Sequence, residues 1–573
     1  MDKSFIAFIE ESIKKHWDLD ALTDYKGATL QYKDLARKIE KMHILLEESG
    51  VKPGDKVAIC GRNCSHWGVA FLAILTYGAV AVPILHEFKA DNVHHIVNHS
   101  DARLLFVGDV AWEALNEAEM PNLEGVILLT DFTLLVCRSE KLEYAREHLN
   151  EMFGKKYPRN FRREHVSYRR DNPEELAVIN YTSGTTSFSK GVMLAYRTLW
   201  SNTQFAFEVL TLKPGDKVVS MLPMAHMYGL AFEFIYEMCC GCHIYFLTRI
   251  PSPKIIFQAF ADVKPKIVIA VPLIIEKIIK KNVLPKLETL KMRFLMRLPV
   301  INDKIKATVR DHMIQGFGGN FYEVIVGGAA FNQEVEKLLK SIDFPYTVGY
   351  GMTECGPIIC YEDYHKFVPG SCGKAAPRME VRIDSEDPQR IVGEIITRGD
   401  NVMLGYYKNE EATRLKESYN AGVKEATNSF IKATGLKWNC EPTATSLGQR
   451  FRIIWDSNKG LSQELKAKDS VISEKDTIIK SLNAKVTTLT EEVNGLKYRL
   501  TLIDADAVDR LRTAKNAETA RADKAESELR GLRSDYERLS HKWNELWDEP
   551  EYNDAAKMVK VRKEEETRLA EEA

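Results

Sequence analysis

An α/β fold is the reading that three features of this 573-residue sequence support: short Val/Ile/Leu-rich runs, helical stretches between them, and a polar heptad pattern near the end. The expected architecture is a large N-terminal domain over residues 1–415, built of layered, mostly parallel β-sheets packed with helices. A junction over 416–460 and a long α-helical coiled-coil tail over 461–573 follow. The runs are KVAIC, AVAVPI, ARLLFV, GVILLT, KVVSML, CHIYFL, KIVIAV and YEVIVGG. Runs without polar alternation suit strands buried on both faces, and helices between them suit parallel crossovers.

The first residues, MDKSFIAFIEESIKKHW, are charged and amphipathic throughout, unlike a secretory signal. The hexapeptide KPGDKV occurs at Lys52–Val57 and again at Lys213–Val218, each time leading into an apolar run. A recurrent Pro-Gly-Asp turn explains this; two similarly wound subdomains are the bolder reading. Trp67–Leu85 is uncharged and long enough to cross a bilayer. Gly78 and Pro83 interrupt it and its last part is rich in β-branched residues, so a buried helix followed by a buried strand is expected. Cys239, Cys240 and Cys242 lie in an apolar stretch with no second ligand pair nearby, which favours buried small residues over a metal site.

The length exceeds what one core usually supports. An apolar fraction of 45%, a charged fraction of 28% and a net charge of -2 are those of an ordinary soluble protein, with no global attraction to nucleic acid. Ten cysteines without a framework pattern suggest reduced thiols and a cytoplasmic location, with at most peripheral membrane contact.

In the tail, Leu465, Ile472, Ile479, Val486, Val493 and Leu500 share one heptad position. Leu461, Leu482, Leu489, Leu496 and Ile503 share the other, with Lys468 and Lys475 as polar exceptions. Such a seam needs a second helix to cover it, so self-association through the tail is expected. Leu529, Leu532, Tyr536, Leu539, Trp543 and Leu546 resume the pattern with a shift.

The stretch most informative for chemistry is Tyr181–Leu194, YTSGTTSFSKGVML. Hydroxyls and backbone N–H groups can surround phosphate oxygens, glycine allows close approach, and lysine adds charge. Its spacing is not that of a Walker A loop. By composition alone, a phosphate site and a surface Ser/Thr/Gly loop fit equally well.

This stretch resembles the signature loop of the acyl-adenylate-forming (AMP-binding) superfamily, YTSGTTGxPKGV, with Ser187 and Ser189 in place of the usual glycine and proline. Leu222-Pro223-Met224-Ala225-His226 resembles its next block, and Gly327-Gly328-Ala329-Ala330 its adenine-contacting turn. Tyr350-Gly351-Met352-Thr353-Glu354 resembles the block that meets adenine, α-phosphate and magnesium. Gly393-Glu394-Ile395, Arg398-Gly399 and Gly405-Tyr406-Tyr407-Lys408-Asn409-Glu410 resemble the block that closes the large domain. The resemblance is to the long-chain fatty-acid–CoA ligase branch and covers roughly residues 10–414.

The resemblance implies ATP-dependent activation of a carboxylic acid, a fatty acid on this analogy, to an acyl-adenylate and then to acyl-coenzyme A. Thr182, Ser183, Gly184, Thr185, Thr186 and Lys190 would hold the β- and γ-phosphates. Gly328, Ala329, Ala330, Tyr350 and Gly351 would meet adenine, and Thr353 the α-phosphate. Glu354 would ligate Mg2+, and His226 would lie beside the carboxylate. Lys190, His226, Thr353 and Glu354 are the expected catalytic set. His94, His95 and His99 fall in a helix that the superfamily uses structurally, so zinc is not expected there. Asp400 precedes the final block and is expected to be a loop residue.

After Thr413 the sequence lacks the superfamily's DGW-x-x-TGD block, and no counterpart of its mobile domain with an essential lysine is found. The expectation is a ligase large domain joined to an unrelated coiled coil, with impaired turnover. From Lys424 onward the composition resembles the coiled-coil tail of plasmid mobilisation proteins. The rival expectation is a non-catalytic coiled-coil interaction protein carrying a relic ligase domain.

Overall fold

Each of the eight apolar runs forms a strand in the computed structural model: Lys56–Cys60, Val80–Ile84, Ala102–Val107, Gly125–Leu128, Lys217–Ser220, His243–Phe246, Val268–Ala270 and Val324–Val326. The structure describes residues 4–182, 190–248, 252–287, 299–385, 387 and 393–414. The expected junction and coiled-coil tail, and the loop 183–189, lie outside the described residues.

An eight-stranded sheet runs in the order Gly405–Tyr406, Lys190–Ala195, Leu176–Thr182, Val80–Ile84, Lys56–Cys60, Ala102–Val107, Gly125–Leu128, Leu134–Cys137. The five consecutive strands from Leu176–Thr182 to Gly125–Leu128 are parallel. Pairing turns antiparallel at either end, where Lys190–Ala195 returns directly from Leu176–Thr182 and then pairs with Gly405–Tyr406, and where Leu134–Cys137 returns from Gly125–Leu128. Alternation divides Lys56–Cys60 between two cores: Val57 and Ile59 face one, Ala58 and Cys60 the other. A second sheet orders Lys217–Ser220, His243–Phe246, Asp20–Asp24 and Thr29–Gln31. A third, wholly parallel, joins Val268–Ala270, Val324–Val326 and Tyr346–Val348. Short antiparallel ribbons follow, including Met379–Asp384 with Glu394–Gly399.

The two KPGDKV hexapeptides open the same supersecondary unit. In the first, the Asp55 carboxylate accepts from Lys52 N at 2.9 Å; in the second, Asp216 accepts from Lys213 N at 2.8 Å. Gly54 (φ 87°) and Gly215 (φ 83°) take the left-handed turn position. Each turn leads into a strand, then a helical segment (Ser65–Tyr77, or Met227 to Cys240), then a left-handed glycine, Gly78 or Gly241, then a parallel strand. The loop closes identically: Gly54 N donates to Gly78 O and Gly215 N to Gly241 O, both at 2.8 Å. The repeat therefore marks two similarly wound βαβ units as well as a turn.

The bilayer-length run Trp67–Leu85 divides as expected. Helix Ser65–Tyr77 stops at Gly78 (φ 94°), and the strand Val80–Ile84 is buried along its length. No helix among the described residues is long and apolar enough to cross a membrane. Cys239, Cys240 and Cys242 are buried, with the Cys240 and Cys242 thiols directed to the carbonyls of Leu212 and Lys213.

Candidate active site

The two βαβ units meet through the loops that follow their first strands. Asn63, in the first loop, donates to Leu222 O (2.6 Å) and Ser220 Oγ (3.2 Å) and accepts from Met224 N (2.9 Å). Asn180, buried in the strand Leu176–Thr182, donates to Ala225 O at 2.9 Å. These two amides hold the Leu222–His226 loop, and with it His226, beside the end of the strand that carries Thr182. Opposite Thr182 in the hairpin register stands Lys190, the first residue of the returning strand.

His226 caps the helix Met227–Leu230. Its Nδ1 accepts from Tyr228 N at 3.3 Å, and burial lowers its pKa, so the neutral ring carries its proton on Nε2. The glycine turn follows the strand Val324–Val326. Gly328 has φ 87°, and a Cβ on Gly327 would stand 3.0 Å from the Tyr228 ring. Gly351 is required more strictly, since a Cβ there would lie 2.2 Å from Pro357 O.

Thr353–Cys355 forms a single tight helical turn. Glu354 is anchored from the final block: Met403 N donates to Glu354 O and the Tyr406 hydroxyl to Glu354 Oε1, both at 2.8 Å. The Lys190 ammonium sits 5.2 Å from the centroid of the same Tyr406 ring. Tyr406 therefore stands between the cation and the carboxylate, touching both. Desolvation and the Glu354 carboxylate both push its phenol pKa up, so it remains a donor.

These segments enclose a cavity of about 300 Å3. Of the expected residues, Thr182, His226, Gly328, Tyr350, Gly351, Thr353 and Glu354 line it. Lys190 does not line it; Tyr406 links Lys190 to Glu354, which does. Ala329 and Ala330 lie on the exposed side of the glycine turn and do not line this cavity. Ser183, Gly184, Thr185 and Thr186 lie outside the described residues. The histidines of the helix Ala90–His99 are engaged in packing: His94 Nε2 accepts from Asn116 N and His99 Nδ1 pairs with the Tyr181 hydroxyl. Asp400 lies in the turn after Glu394–Gly399, and its carbonyl accepts from Arg197.

A magnesium ion fits this donor set. Glu354 lines the cavity that Thr353 and Thr182 also line, and its Oε2 has no hydrogen-bond partner among the described residues. No group of three or more potential protein ligands occurs among the described residues. One carboxylate plus substrate phosphates is the usual mode for this ion.

Sequence reasoning missed Tyr406, Asn63 and Asn180 as parts of the site. Asn180 had a signal, an amide inside an apolar run. Tyr406 lay within a quoted block, but its contact with Glu354 spans 52 residues and leaves no local trace.

A strand-to-strand hairpin, a capping histidine, a glycine turn and a braced glutamate thus meet around one cavity. The chain belongs to the AMP-binding enzyme family, which matches residues 9–407. It is 26% identical over 418 residues to long-chain-fatty-acid–CoA ligase 5 of Rattus norvegicus, covering 67% of this chain and 60% of the relative. It is likewise 26% identical over 431 residues to long chain acyl-CoA synthetase 4 of Arabidopsis thaliana, covering 67% and 61%. The chain thus spans about 60% of the length of these curated relatives. Among solved structures, the inhibitor-bound N-terminal domain of FACL13 from Mycobacterium tuberculosis shares the fold at a TM-score of 0.54 and 18% identity, covering 72% of this chain and 93% of that one. ATP-bound MatB from Rhodopseudomonas palustris matches at 0.56 and 20%, covering 72% and 73%.

Proposed function

We propose that this chain activates a carboxylic acid with ATP, forming an acyl-adenylate that coenzyme A then converts to a thioester. The carrying observation is that Thr182, His226, Gly328, Tyr350, Thr353 and Glu354, from four separated sequence blocks, line one cavity. A carboxylate is a poor electrophile, and its attack on the α-phosphate creates a good leaving group. Such in-line chemistry depends on positioning and charge neutralisation. In this reading Lys190 and the Thr182 hydroxyl hold the triphosphate and Thr353 bonds the α-phosphate. The Nε2–H of His226 orients the acid carboxylate. Glu354 would hold Mg2+, which supplies charge neutralisation across the phosphates when bound. Kinship with relatives named for long-chain acids supports a fatty acid as substrate.

Residues after Thr413 carry no counterpart of the superfamily's ribose-binding aspartate or catalytic lysine. We infer a lowered turnover from this, since one well-placed charge is worth several kcal/mol in a transition state. The test is pyrophosphate and acyl-adenylate formation by the purified full-length chain with magnesium-ATP and a panel of acids. Product above a Lys190→Ala control is expected. Equal product from both proteins, or unchanged ATP affinity in the variant, would overturn the phosphate role of Lys190. The heptads of 461–546 favour a second role, self-association; an unchanged molecular mass after their deletion would remove it.

A further inference from the structure

The cavity has two chemically different sides. Thr182, His226, Thr353 and Glu354 make one polar, whereas the other carries a row of aromatic rings, Tyr228, Phe232, Phe205 and Tyr361, alongside aliphatic side chains such as Leu210 and Ile358. The rings follow one another edge to face, with centroids 6.3 Å (Tyr228–Phe232), 6.1 Å (Phe232–Phe205) and 5.6 Å (Phe205–Tyr361) apart. That is the arrangement aromatic pairs prefer.

Both ends of this chain of rings are tied down. The Tyr228 hydroxyl donates to Ile325 O at 3.0 Å. The Tyr361 hydroxyl donates to Glu323 Oε2 at 2.8 Å, and Glu323, itself buried, also accepts from Tyr364 N at 3.1 Å. Swinging either terminal ring aside would strand a buried acceptor, which is costly. Phe205 lies between them in the row, 3% exposed and packed edge to face against Phe232 and Tyr361. A flexible aliphatic wall could yield to a longer ligand; a braced aromatic one resists.

We propose that this wall is the floor of the acid pocket, and that Phe205 and Tyr361 restrict the substrate to a carboxylic acid with a compact acyl group, aromatic or medium-chain, excluding long straight chains. The inference rests on the acid-activating reading above and narrows it, in contrast to the long-chain acids for which two relatives are named. The cavity of about 300 Å3 takes in the nucleotide-side residues Gly328, Tyr350 and Thr353 as well as the rings, and lies at the small end of ligand pockets. Extra methylenes would have to displace the rings, and a misfit of even one methylene in an apolar pocket is worth roughly tenfold or more.

The test measures binding, so it does not depend on turnover. Hexanoyl-, cinnamoyl- and palmitoyl-sulfamoyl adenosine, with AMP as reference, are titrated calorimetrically into the full-length chain. The hexanoyl and cinnamoyl compounds are expected to bind at least about tenfold tighter than AMP, and the palmitoyl compound no tighter than AMP. Phe205→Ala should raise palmitoyl affinity by about tenfold, and Tyr361→Phe, which keeps the ring but removes its tie to Glu323, should raise it by less. Should Phe205→Ala fail to fold, Phe205→Leu should move the ranking in the same direction. The order of the two compact compounds distinguishes an aryl from an aliphatic preference within the proposal. Palmitoyl binding as tight as the compact compounds in the wild type, or no change of ranking in either Phe205 variant, overturns it. Failure of every ligand, AMP included, overturns the adenylate-forming reading instead.

Discussion

The two βαβ units begin with the same six residues and the same turn, yet one is scaffold and the other carries the site. In the first, the helix Ser65–Tyr77 is apolar on nearly every side and buried among the rings and aliphatic side chains of the N-terminal helices and the large sheet. In the second, the helical segment starts at a capping histidine, passes through a π-turn at Ala231–Ile235, and carries the buried carboxyls Glu233 and Glu237. Tyr228 and Phe232 project from it into the cavity. π-turns shift the register of a helix face and recur at functional positions. The contrast shows how one frame serves both ends: uniform apolar packing gives a rigid wall, and local irregularity opens space for a ligand.

The comparison is broken most severely at the glycines that close each unit. A Cβ on Gly241 (φ 84°) would lie 2.4 Å from the buried His16 ring, whereas one on Gly78 (φ 94°) would meet the guanidinium end of Arg169. Gly241→Ala is expected to cost about 3 kcal/mol and Gly78→Ala about 2 kcal/mol, by denaturant titration, because a movable side chain relieves only the second clash. Equal losses would show that backbone strain alone decides both.

Asn63 is the joint between the units. Asn63→Ala leaves Met224 N and Leu222 O without their amide partner, and roughly 2 kcal/mol of stability should go with it. Ligand affinity should fall as well, since the His226 loop loses its anchor. A loss of stability with unchanged affinity would separate the joint from the site.

Glu237 tests whether the irregular helix tolerates being made like its counterpart. Neither of its oxygens has a hydrogen-bond partner among the described residues, and burial raises its pKa well above the usual carboxylate range. A raised folded value means that its contribution to stability is complete below pH ~4.5, the unfolded value, and is lost as pH rises through the folded value. Glu237→Met should therefore stabilise by about 1–2 kcal/mol at pH 8 and by less at pH 4.5. A variant less stable at pH 8 would mean that the carboxyl is used.

The smallest effect is expected at Tyr406. Removing its hydroxyl in Tyr406→Phe frees Glu354 Oε1 but keeps the ring beneath Lys190. Affinity for magnesium-ATP should drop about fivefold, near 1 kcal/mol, while metal-free ATP binding is unchanged. An equal loss for both would place the effect on the fold.

Much of this was legible because burial on both faces writes itself into a strand: KVAIC or ARLLFV has no other good explanation. The antiparallel edges were less so. Leu134–Cys137 is only half-buried, and Met379–Asp384 with Glu394–Gly399 is largely exposed on one side, so neither carries a strong apolar pattern. In the site, Gly328 and Gly351 could be placed through their resemblance to the superfamily's blocks, and the structure shows the backbone geometry that requires glycine at each. Contacts made across the chain could not: Asn63 to Met224 spans 161 residues.

The last described block also bears on how the chain is made. Gly405–Tyr406 pairs with the outer side of Lys190–Ala195, Tyr406 clasps Glu354, and Lys408 reaches Asp101 from 307 residues away. On a ribosome, everything up to the glutamate can emerge and condense while its clasp is still untranslated. Until then the Lys190 strand offers an open edge to any neighbouring chain. The site is thus sealed by nearly the last described part of the domain to be synthesised, and until it pairs, that edge can mispair with another nascent copy.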